Sequence, residues 1–557
     1  MSATSAAARR LRIAPSALAD RLTAVRPVPA LGFLVALQLA QALWFGFRTP
    51  HNGWIWYSGG DATSYWTEQW AIGHLQIPQA VVGYGLPVYY AWVPLVAGPS
   101  LVNGVAVIVL FQAIVLVPLA LILFWAVADR LFGRVYAWFA AALWVAGPLL
   151  LLHGFVPKYH WVFDQLFLAP HWFGFTNMAD LPSLVVVLGC VWLTLRAVET
   201  GSSTETVIAG LLGGTAIAIK PSNAYFLPAV AVLLVGLRRP RQTILWATAL
   251  VPSLVTLFLW KLRGLGYVPL TSSSYSQLRV AAGAHPLAVA TTKYLPLNMH
   301  HFGVELANLR EVFWSLRFLE FLVVAGAFGV IRRAPLKGLF VVVWFVSFGI
   351  VKASSPRSDF PSATYFRLVE PGLPAFILLV VGVAFCLPSL GRRVRSFASV
   401  RGEAHIDLRR VAPATVVLAL IPLLLVAVAR SASAMRIVRD ENTVQEAPLT
   451  RTMHLHATRN PDASVRLTWR SPSVGSTQPW FIVYTSPTDN GCSPPSRGAL
   501  ECMLNMPVLT VTQQHMVIDR PGPGPHFYRV ALVAQYQRGT AGGDLMLVSH
   551  GVFVPRS

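Results

Sequence analysis

The sequence predicts a polytopic α-helical membrane protein that carries a separate β-rich domain at its C-terminal end. Of its 557 residues, 55% are hydrophobic and only 12% are charged, whereas soluble proteins carry about a quarter charged residues. Apolar stretches recur from Leu31 to Val428, and each membrane crossing needs about 20 apolar residues. We expect helices rather than a β-barrel, because the hydrocarbon core has no water to satisfy open strands and barrel strands are shorter and alternating.

About eleven spans are predicted, and they divide the chain into four parts. A basic N-terminal segment, 1–28, precedes the transmembrane domain, 29–429; a linker, 430–449, then leads to the C-terminal domain, 450–557. The spans are placed near 29–47, 103–127, 135–152, 179–196, 207–219, 224–237, 243–260, 316–331, 338–351, 368–389 and 411–429.

Basic residues fall into alternate gaps between these spans, which predicts the orientation of the chain. Clusters occur in 1–28, around Arg130 and Arg134, at Arg196, in 238–241, in 332–337 and in 392–410. The positive-inside rule makes these gaps cytoplasmic. The segments of the other parity are then external, namely 48–102, 153–178, 220–223, 261–315, 352–367 and everything after about 430. The same rule accounts for the net charge of +21, so nucleic-acid binding is not needed to explain it.

The first span raises the question of a cleaved leader, because an Ala-x-Ala motif lies at 40–42. The apolar run continues through Phe47 and follows a long basic segment, so we expect a retained signal anchor. Cleavage after this motif would still leave the segment that follows the first span on the outer side of the membrane.

The C-terminal domain has the sequence features of a β-sandwich. Short β-rich runs such as SVRLTWRSP, WFIVYTSP and HFYRVALVAQY alternate with turn residues, and they resemble a fibronectin type III domain. Cys492 and Cys502 both lie here. A disulfide is permitted outside the membrane, so we predict a bridge between them.

Acidic side chains are rare in this chain, and several occur in external segments. Asp61 follows Gly59 and Gly60 within GGDATSYWTEQW, which also contains Glu68, and glycines allow a backbone to approach a ligand closely. Asp61 could alternatively order a glycine-rich turn. The second external segment contains Lys158 and Asp164.

Two charged residues lie at span boundaries, where exposure to lipid is costly. Asp180 opens the fourth span in TNMADLPS and is expected either to face a cavity or to act as an N-cap. Lys220 lies between two apolar runs in AIAIKPSNAYFLP. It is expected either to contact a phosphate, with Ser222 and Asn223 as further donors, or to extend its ammonium group to the interface.

A late span begins with a further charged pair, Arg367 and Glu370, in DFPSATYFRLVEPGLPAF. Arginine suits bidentate recognition of phosphate or carboxylate. The alternative is a structural Arg–Glu pair. Aromatic rings, cations and carboxylates thus gather near one face of the membrane. This combination of side chains is suited to binding a lipid that carries a sugar on a phosphate.

Four motifs, taken in order and by side of the membrane, resemble the GT-C superfamily of membrane glycosyltransferases. The motifs are GGDATSYW, MADLPS, AIKPSNAYFLP and YFRLVEPGLP. The superfamily includes protein O-mannosyltransferases, aminoarabinose transferases and actinobacterial arabinosyl- and mannosyltransferases, and the resemblance covers roughly 30–390. These enzymes often have paired acids in the first external loop. Here Ala62 follows Asp61, so Glu68 or Asp180 would have to supply the second carboxylate.

The resemblance implies an inverting transfer of a sugar from a polyprenyl-phosphate donor to an acceptor hydroxyl. Asp61 would be the general base, and Lys220, Arg367 and Lys158 would bind the donor phosphate. Asp180, Glu68 or Asp164 would bind the acceptor or act as the second carboxylate. No cofactor or metal is expected, although the acids leave a divalent cation as an alternative.

The main alternative to a glycosyltransferase is a transporter or flippase for a lipid-linked or anionic substrate. Transporters also hold charged residues within the membrane. The one-sided distribution of the candidate residues argues against it, as does the lack of repeated halves. A non-catalytic scaffold is a third interpretation.

The expected partners are the membrane, a polyprenyl-phosphate-linked sugar and a glycan, lipid or protein acceptor. The Arg-rich composition suggests a GC-rich bacterial genome and hence the bacterial plasma membrane.

Overall fold

The computed structural model contains a helical region followed by a β-rich region. It describes residues 21–48, 65, 68–69, 71–77, 83–97, 101–147, 172–265, 297–312, 315–355, 364–386, 405–431, 453–470, 480–486, 508–512, 514–533, 545–549 and 551–555. Asp61, Lys158, Asp164, Cys492 and Cys502 lie outside these described residues.

The helical region consists mainly of long apolar helices. These are Pro27–Arg48, Leu101–Phe111, Val117–Phe132, Arg134–Gly147, Asp180–Thr200, Ser203–Ile219, Leu227–Gly236, Pro240–Leu265, Met299–Val312, Ser315–Arg333, Pro335–Val346, Leu373–Gly382, Leu408–Thr415 and Ile421–Val428. Three short helices occur at Gly85–Tyr89, Trp92–Ala97 and Thr364–Val369. π-Helical turns continue several helices at Gln112–Leu116, Ser347–Lys352 and Val416–Leu420, and 3₁₀ turns occur at Pro221–Phe226, Glu370–Gly372 and Val383–Cys386.

Seven described helical segments are long and apolar enough to cross a membrane. They are Pro27–Phe45, Val107–Phe132, Asp180–Thr200, Pro240–Lys261, Pro335–Lys352, Tyr365–Cys386 and Leu408–Val428. Ser203–Ile219 and Pro221–Gly236 are shorter apolar helices. The predicted multi-helical membrane character is therefore confirmed. The count of eleven spans stays a prediction, although each predicted span coincides with a described helix.

Helix Asp180–Thr200 is the most enclosed of these candidate spans, with 72% of its most apolar stretch buried, whereas the figure for Pro27–Phe45 is 17%. It packs against Val117–Phe132 and Ser203–Ile219. Its buried side chains include Leu184, Leu188 and Val191. A charged residue at the start of this helix is therefore held inside the bundle.

Small residues allow the next helices to approach closely. Gly210 faces helix Pro240–Leu265, where an added Cβ would lie 2.4 Å from the carbonyl oxygen of Trp246. Gly214 has the same role one turn later, since a Cβ added to it would lie 2.8 Å from the Cβ of Ser253. Close backbone approach through small residues is a common packing mode between membrane helices. It fixes the position of Ser203–Ile219, the helix that precedes Lys220.

Charged residues gather at two opposite ends of the bundle. Arg196 pairs with Glu205 at 2.7 Å, Arg130 pairs with Glu199, and the ammonium of Lys337 donates to the carbonyl of Arg130 at 2.8 Å. We call this the basic end. Asp180 lies at the other end of the same helix, roughly 24 Å from Arg196 at 1.5 Å per residue. We call that end, with Lys220 and Arg367, the site end. This separation agrees with the alternation predicted from the basic gaps.

Two loops meet near the site end through a short parallel ladder. Strand β1, Gln76–Ile77, pairs with β2, Arg430–Ser431, directly after the last candidate span. The backbone N–H of Arg430 also donates to the carbonyl of Leu75 at 2.9 Å. Both segments were predicted to share one side of the membrane, and the pairing agrees with that prediction.

The β-rich region contains two antiparallel sheets around one apolar core. Its strands are β3 (His456–Arg459), β4 (Val465–Thr468), β5 (Trp480–Ser486), β6 (Val508–Thr512), β7 (Met516–Asp519), β8 (His526–Val533), β9 (Leu545–Val548) and β10 (Val552–Val554). One sheet has the order β3-β4-β7, and the other has the order β10-β8-β5-β6 with β9 also paired to β8. Leu467 of the first sheet and Phe481 and Val530 of the second belong to the same buried cluster. The predicted β character is present, and the fibronectin type III assignment stays a prediction.

We expect Gly83→Ala to destabilise the site end. A Cβ at Gly83 would lie 1.9 Å from the carbonyl oxygen of Ala218, near the end of the helix that precedes Lys220. Overpacking of this kind costs about 1–3 kcal/mol, so the midpoint of thermal unfolding should fall. Gly303→Ala is the control, because nothing lies within 4 Å of its added Cβ and a helical Gly→Ala change is favourable by about 0.5–1 kcal/mol. Equal midpoints for the two variants would contradict this account of the packing.

Candidate functional site

The site is built on Asp180, which is the first residue of helix Asp180–Thr200. Ala179 is the N-cap, so the Asp180 side chain does not cap the helix. Pro182 is tolerated here because first-turn N–H groups have no partner within the helix, and the Ser183 hydroxyl donates to the Asp180 carbonyl at 2.9 Å. The carboxylate is fully buried and lies at the positive end of the helix dipole. The N-cap alternative considered for Asp180 is therefore replaced by a buried ionic role.

Lys220 reaches Asp180 from the end of the neighbouring helix. Helix Ser203–Ile219 stops there because Pro221 disfavours α-helical geometry in the preceding residue, and Lys220 is extended with φ −137° and ψ 101°. Its ammonium donates to Asp180 Oδ1 at 2.5 Å and also to the carbonyl of Arg367. The residue is only 9% exposed. Lys220 thus pairs with an acid inside the bundle.

Arg367 completes a three-segment junction. It lies on the short helix Thr364–Val369, and its Nε donates to Asp180 Oδ2 at 3.3 Å. One carboxylate therefore accepts from two cations, one through each oxygen. The three residues are distant in sequence, since Lys220 follows Asp180 by 40 positions and Arg367 follows it by 187.

Glu370 adds a second acid to the same junction. It begins the 3₁₀ turn Glu370–Gly372, three residues after Arg367, and is 9% exposed. It is close enough to interact electrostatically with Asp180, Lys220 and Arg367. Its Oε2 has no hydrogen-bond partner among the residues that the structure describes. The four residues form what we call the charge cluster, with two carboxylates and two cations.

The charge cluster has the chemistry of an oxyanion site. The ammonium is a point charge with three donors, and the guanidinium is a planar fork with five. Both already converge on one carboxylate, so both are placed to converge on the oxygens of a phosphate. Their low exposure strengthens such contacts, because nearby charges interact more strongly away from bulk water.

Part of the first predicted external segment is anchored beside the start of the Asp180 helix. The Gln69 amide donates to Asn177 Oδ1 at 2.9 Å, three residues before Asp180. Glu68, next to Gln69, is buried at 2% exposure. The loop before Asp180 is held from a second direction, since the Gln112 amide donates to the carbonyl of Thr176 at 3.1 Å. Glu68 is thus in the same part of the fold as Asp180.

The structure accounts for some of the predicted site residues. Asp180, Lys220 and Arg367 are in direct contact, and Glu68 is buried in the adjoining loop. The predicted roles of Asp61, Lys158 and Asp164 concern positions outside the described residues, as does the Cys492–Cys502 bridge. For these residues the sequence-based roles stay predictions.

Lys352 is a further cation that the sequence reasoning missed. It ends the π-helical turn Ser347–Lys352, is 8% exposed and lies 5.5 Å from the centre of the Tyr225 ring. Tyr225 belongs to the 3₁₀ turn that follows Lys220. The signal was present, because Lys352 ends an apolar run just as Lys220 does. Asn177 and Gln69 carried no such signal, since a buried amide pair leaves no charge pattern in a sequence.

No protein-family model matches the chain, and no curated protein matches it. The solved structures that are similar to it include several of the oligosaccharyltransferase of Archaeoglobus fulgidus. A crystal structure with a tethered acceptor peptide aligns at 15% identity and a TM-score of 0.41, covering 78% of this chain and 58% of that one. A complex of the same enzyme, named AglB, with an inhibitory peptide and a dolichol-phosphate aligns at 14% identity and a TM-score of 0.41 with the same coverage. The chain thus spans less than two thirds of their length.

We expect Asp180→Asn to lower the stability of the protein markedly. The change leaves two buried cations without their shared charged partner, and breaking a buried ion pair from one side costs about 3 kcal/mol or more. The measurement is the thermal unfolding midpoint of the purified protein in detergent. Glu320→Gln is the matched control, because it removes the acid of the partly exposed Arg310–Glu320 pair, and exposed pairs contribute little. If both variants unfold at the same temperature, the charge cluster does not stabilise the fold.

Proposed function

We propose that the chain is an inverting glycosyltransferase of the bacterial plasma membrane. It transfers a sugar from a polyprenyl-phosphate donor to an acceptor hydroxyl at the outer face, the acceptor being a glycan, a lipid or a protein. The catalytic part is the transmembrane domain 29–429, with the domain 450–557 on the same side as the site. One observation carries the proposal, namely that Lys220 and Arg367 converge on a single buried acceptor at one end of the bundle.

The donor phosphate is the group that this arrangement suits best. A polyprenyl phosphate approaches from the bilayer with its charge at interfacial depth, and the cluster lies where spans end. Lys220 and Arg367 would exchange one oxyanion partner, the Asp180 carboxylate, for another, the phosphate. Lys158 is proposed to add a third cation. These donors stabilise the negative charge that grows on the phosphate as the glycosidic bond breaks.

Asp61 is proposed as the general base. It takes the proton of the acceptor hydroxyl while that oxygen attacks the anomeric carbon and the bond from this carbon to the phosphate oxygen breaks. The polyprenyl phosphate leaves from the opposite face, so the configuration inverts. The base must come within about 3 Å of the acceptor oxygen and must be ionised. No metal is needed in this scheme.

The remaining acids are proposed to act around this step. Glu68 and Asp164 are candidates for acceptor binding, and Glu68 lies on the loop anchored to Asn177. Asp180 was predicted as an acceptor ligand or second carboxylate. Its described contacts with Lys220 and Arg367 favour a different use, in which it holds both cations in place until the donor arrives.

We expect Asp61→Asn to lower the rate of sugar transfer by at least about 100-fold, because an amide cannot accept the proton and general-base catalysis contributes about 10²–10⁴-fold. Binding of polyprenyl phosphate should be unchanged. The assay follows radiolabelled sugar from a panel of polyprenyl-phosphate sugars into membrane acceptors. Asp407→Asn is the control, since Asp407 caps a helix and Asn caps equally well.

Two outcomes of this assay would reject the proposal. Full activity of Asp61→Asn would remove Asp61 as the base. Movement of labelled lipid across liposomes by the purified protein, with no new glycosidic bond, would identify a transporter or flippase.

We expect Lys220→Gln to weaken the binding of polyprenyl phosphate about tenfold or more, because a charge-assisted contact to phosphate is lost. Fluorescently labelled polyprenyl phosphate and purified protein give the dissociation constant directly. The matched control is Lys337→Gln, since Lys337 is also buried and also donates to a backbone carbonyl, but at the basic end. Equal affinity of the two variants would place the phosphate elsewhere.

A further inference from the structure

A cleft of about 530 Å³ opens on the β-rich region, remote in sequence from the charge cluster. His454, His456, Thr468, Trp469 and Arg470 line it. The pairing of β3 with β4 sets His456 opposite Thr468, and the N–H of Arg470 donates to the carbonyl of Met453 at 3.1 Å. The lining residues are therefore fixed by the ladder of the three-stranded sheet and its continuation.

The side chains around this cleft are suited to an anion. They comprise two imidazoles, a hydroxyl, an indole and a guanidinium, all of which can donate hydrogen bonds. Among the described residues no carboxylate lines the cleft. An anionic ligand would therefore meet donors and positive charge without a competing acid.

Two further observations concern the residues that line the cleft. Trp469 is only 5% exposed, and its buried Nε1 has no hydrogen-bond partner among the described residues. An unpaired buried donor is costly, by about 1–3 kcal/mol. His454 has φ +23°, outside the usual range for a residue with a side chain. Such conformations persist where the surrounding structure holds them and occur often at binding sites.

We propose that this cleft binds an acidic saccharide, a sugar unit that carries a phosphate or carboxylate group. Its volume lies within the range of small-molecule sites, about 300–1,000 Å³, and exceeds what a lone oxyanion fills. Arg470 binds the oxyanion, since a guanidinium fork matches both phosphate and carboxylate. Thr468 and the two imidazoles bind hydroxyl groups of the sugar. This binding is independent of the transfer reaction proposed above.

The test measures binding of three soluble probes to the full-length protein in nanodiscs, by calorimetry or saturation-transfer NMR. The probes are glucose 6-phosphate, glucuronate and neutral glucose. We expect at least one acidic probe to bind about tenfold or more tightly than glucose, because the charge-assisted contact is absent from glucose. Tighter binding of one acidic probe over the other distinguishes phosphate from carboxylate as the recognised group.

Variants then locate the binding and separate it from the charge cluster. Arg470→Gln should weaken the binding of the acidic probe by about tenfold. Arg520→Gln removes the same charge from an exposed position beyond the end of β7 and should have no effect. Lys220→Gln should also leave this affinity unchanged, whatever it does to the lipid donor. The proposal is overturned if glucose binds as well as both acidic probes, if inorganic phosphate alone binds as tightly as glucose 6-phosphate, or if Arg470→Gln matches Arg520→Gln.

Discussion

The structure of the site end depends on one carboxylate that two cations share. Asp180 is fully buried, and an isolated ionised carboxylate at that depth would be prohibitively unfavourable. Lys220 and Arg367 make the burial tolerable, and each of them needs the acid for the same reason. The three residues come from three separate segments, so the interaction also fixes the ends of those segments relative to one another. Packing alone leaves helix ends free to shift, whereas a buried charge restricts them to the arrangement that satisfies it.

The contacts that stabilise the charge cluster also hold its two cations in fixed positions. Glu370 adds a second buried acid beside Asp180, Lys220 and Arg367. A phosphate that binds Lys220 and Arg367 must compete with Asp180, which keeps weakly bound anions out. The compensation is that both cations are already desolvated and oriented. In the transfer proposed above, little reorganisation would remain at the moment when the phosphate gains charge, and such preorganisation is usually the largest single contribution to catalysis.

The sequence predicted the positions of the helices and the single charges well, because both follow from the cost of exposing groups to hydrocarbon. Lys220 stood out since an ammonium between two apolar runs needs a partner. The identity of that partner was not predictable. The cost of burying an ammonium implies that an opposite charge lies nearby, but it does not identify the residue, and Asp180 is 40 positions away in the sequence. The Gly83 contact with Ala218 and the Gln69–Asn177 amide pair were equally hidden, since neither leaves a periodic pattern. The role of Asp61 stays a prediction.

The two ends of the bundle differ in a way that explains why only one of them suits chemistry. At the basic end the side chains of Arg130 and Glu199 are 28% and 32% exposed, so water and salt screen their attraction. At the site end the corresponding values are 11% for Lys220, 14% for Arg367 and 0% for Asp180. An arriving anion would therefore gain little from Arg130 beyond what dissolved ions provide. Lys220 and Arg367 act where screening is weak, so their interaction with a phosphate depends strongly on geometry. The basic end is thus suited to orienting the chain in the membrane, and the site end is suited to binding.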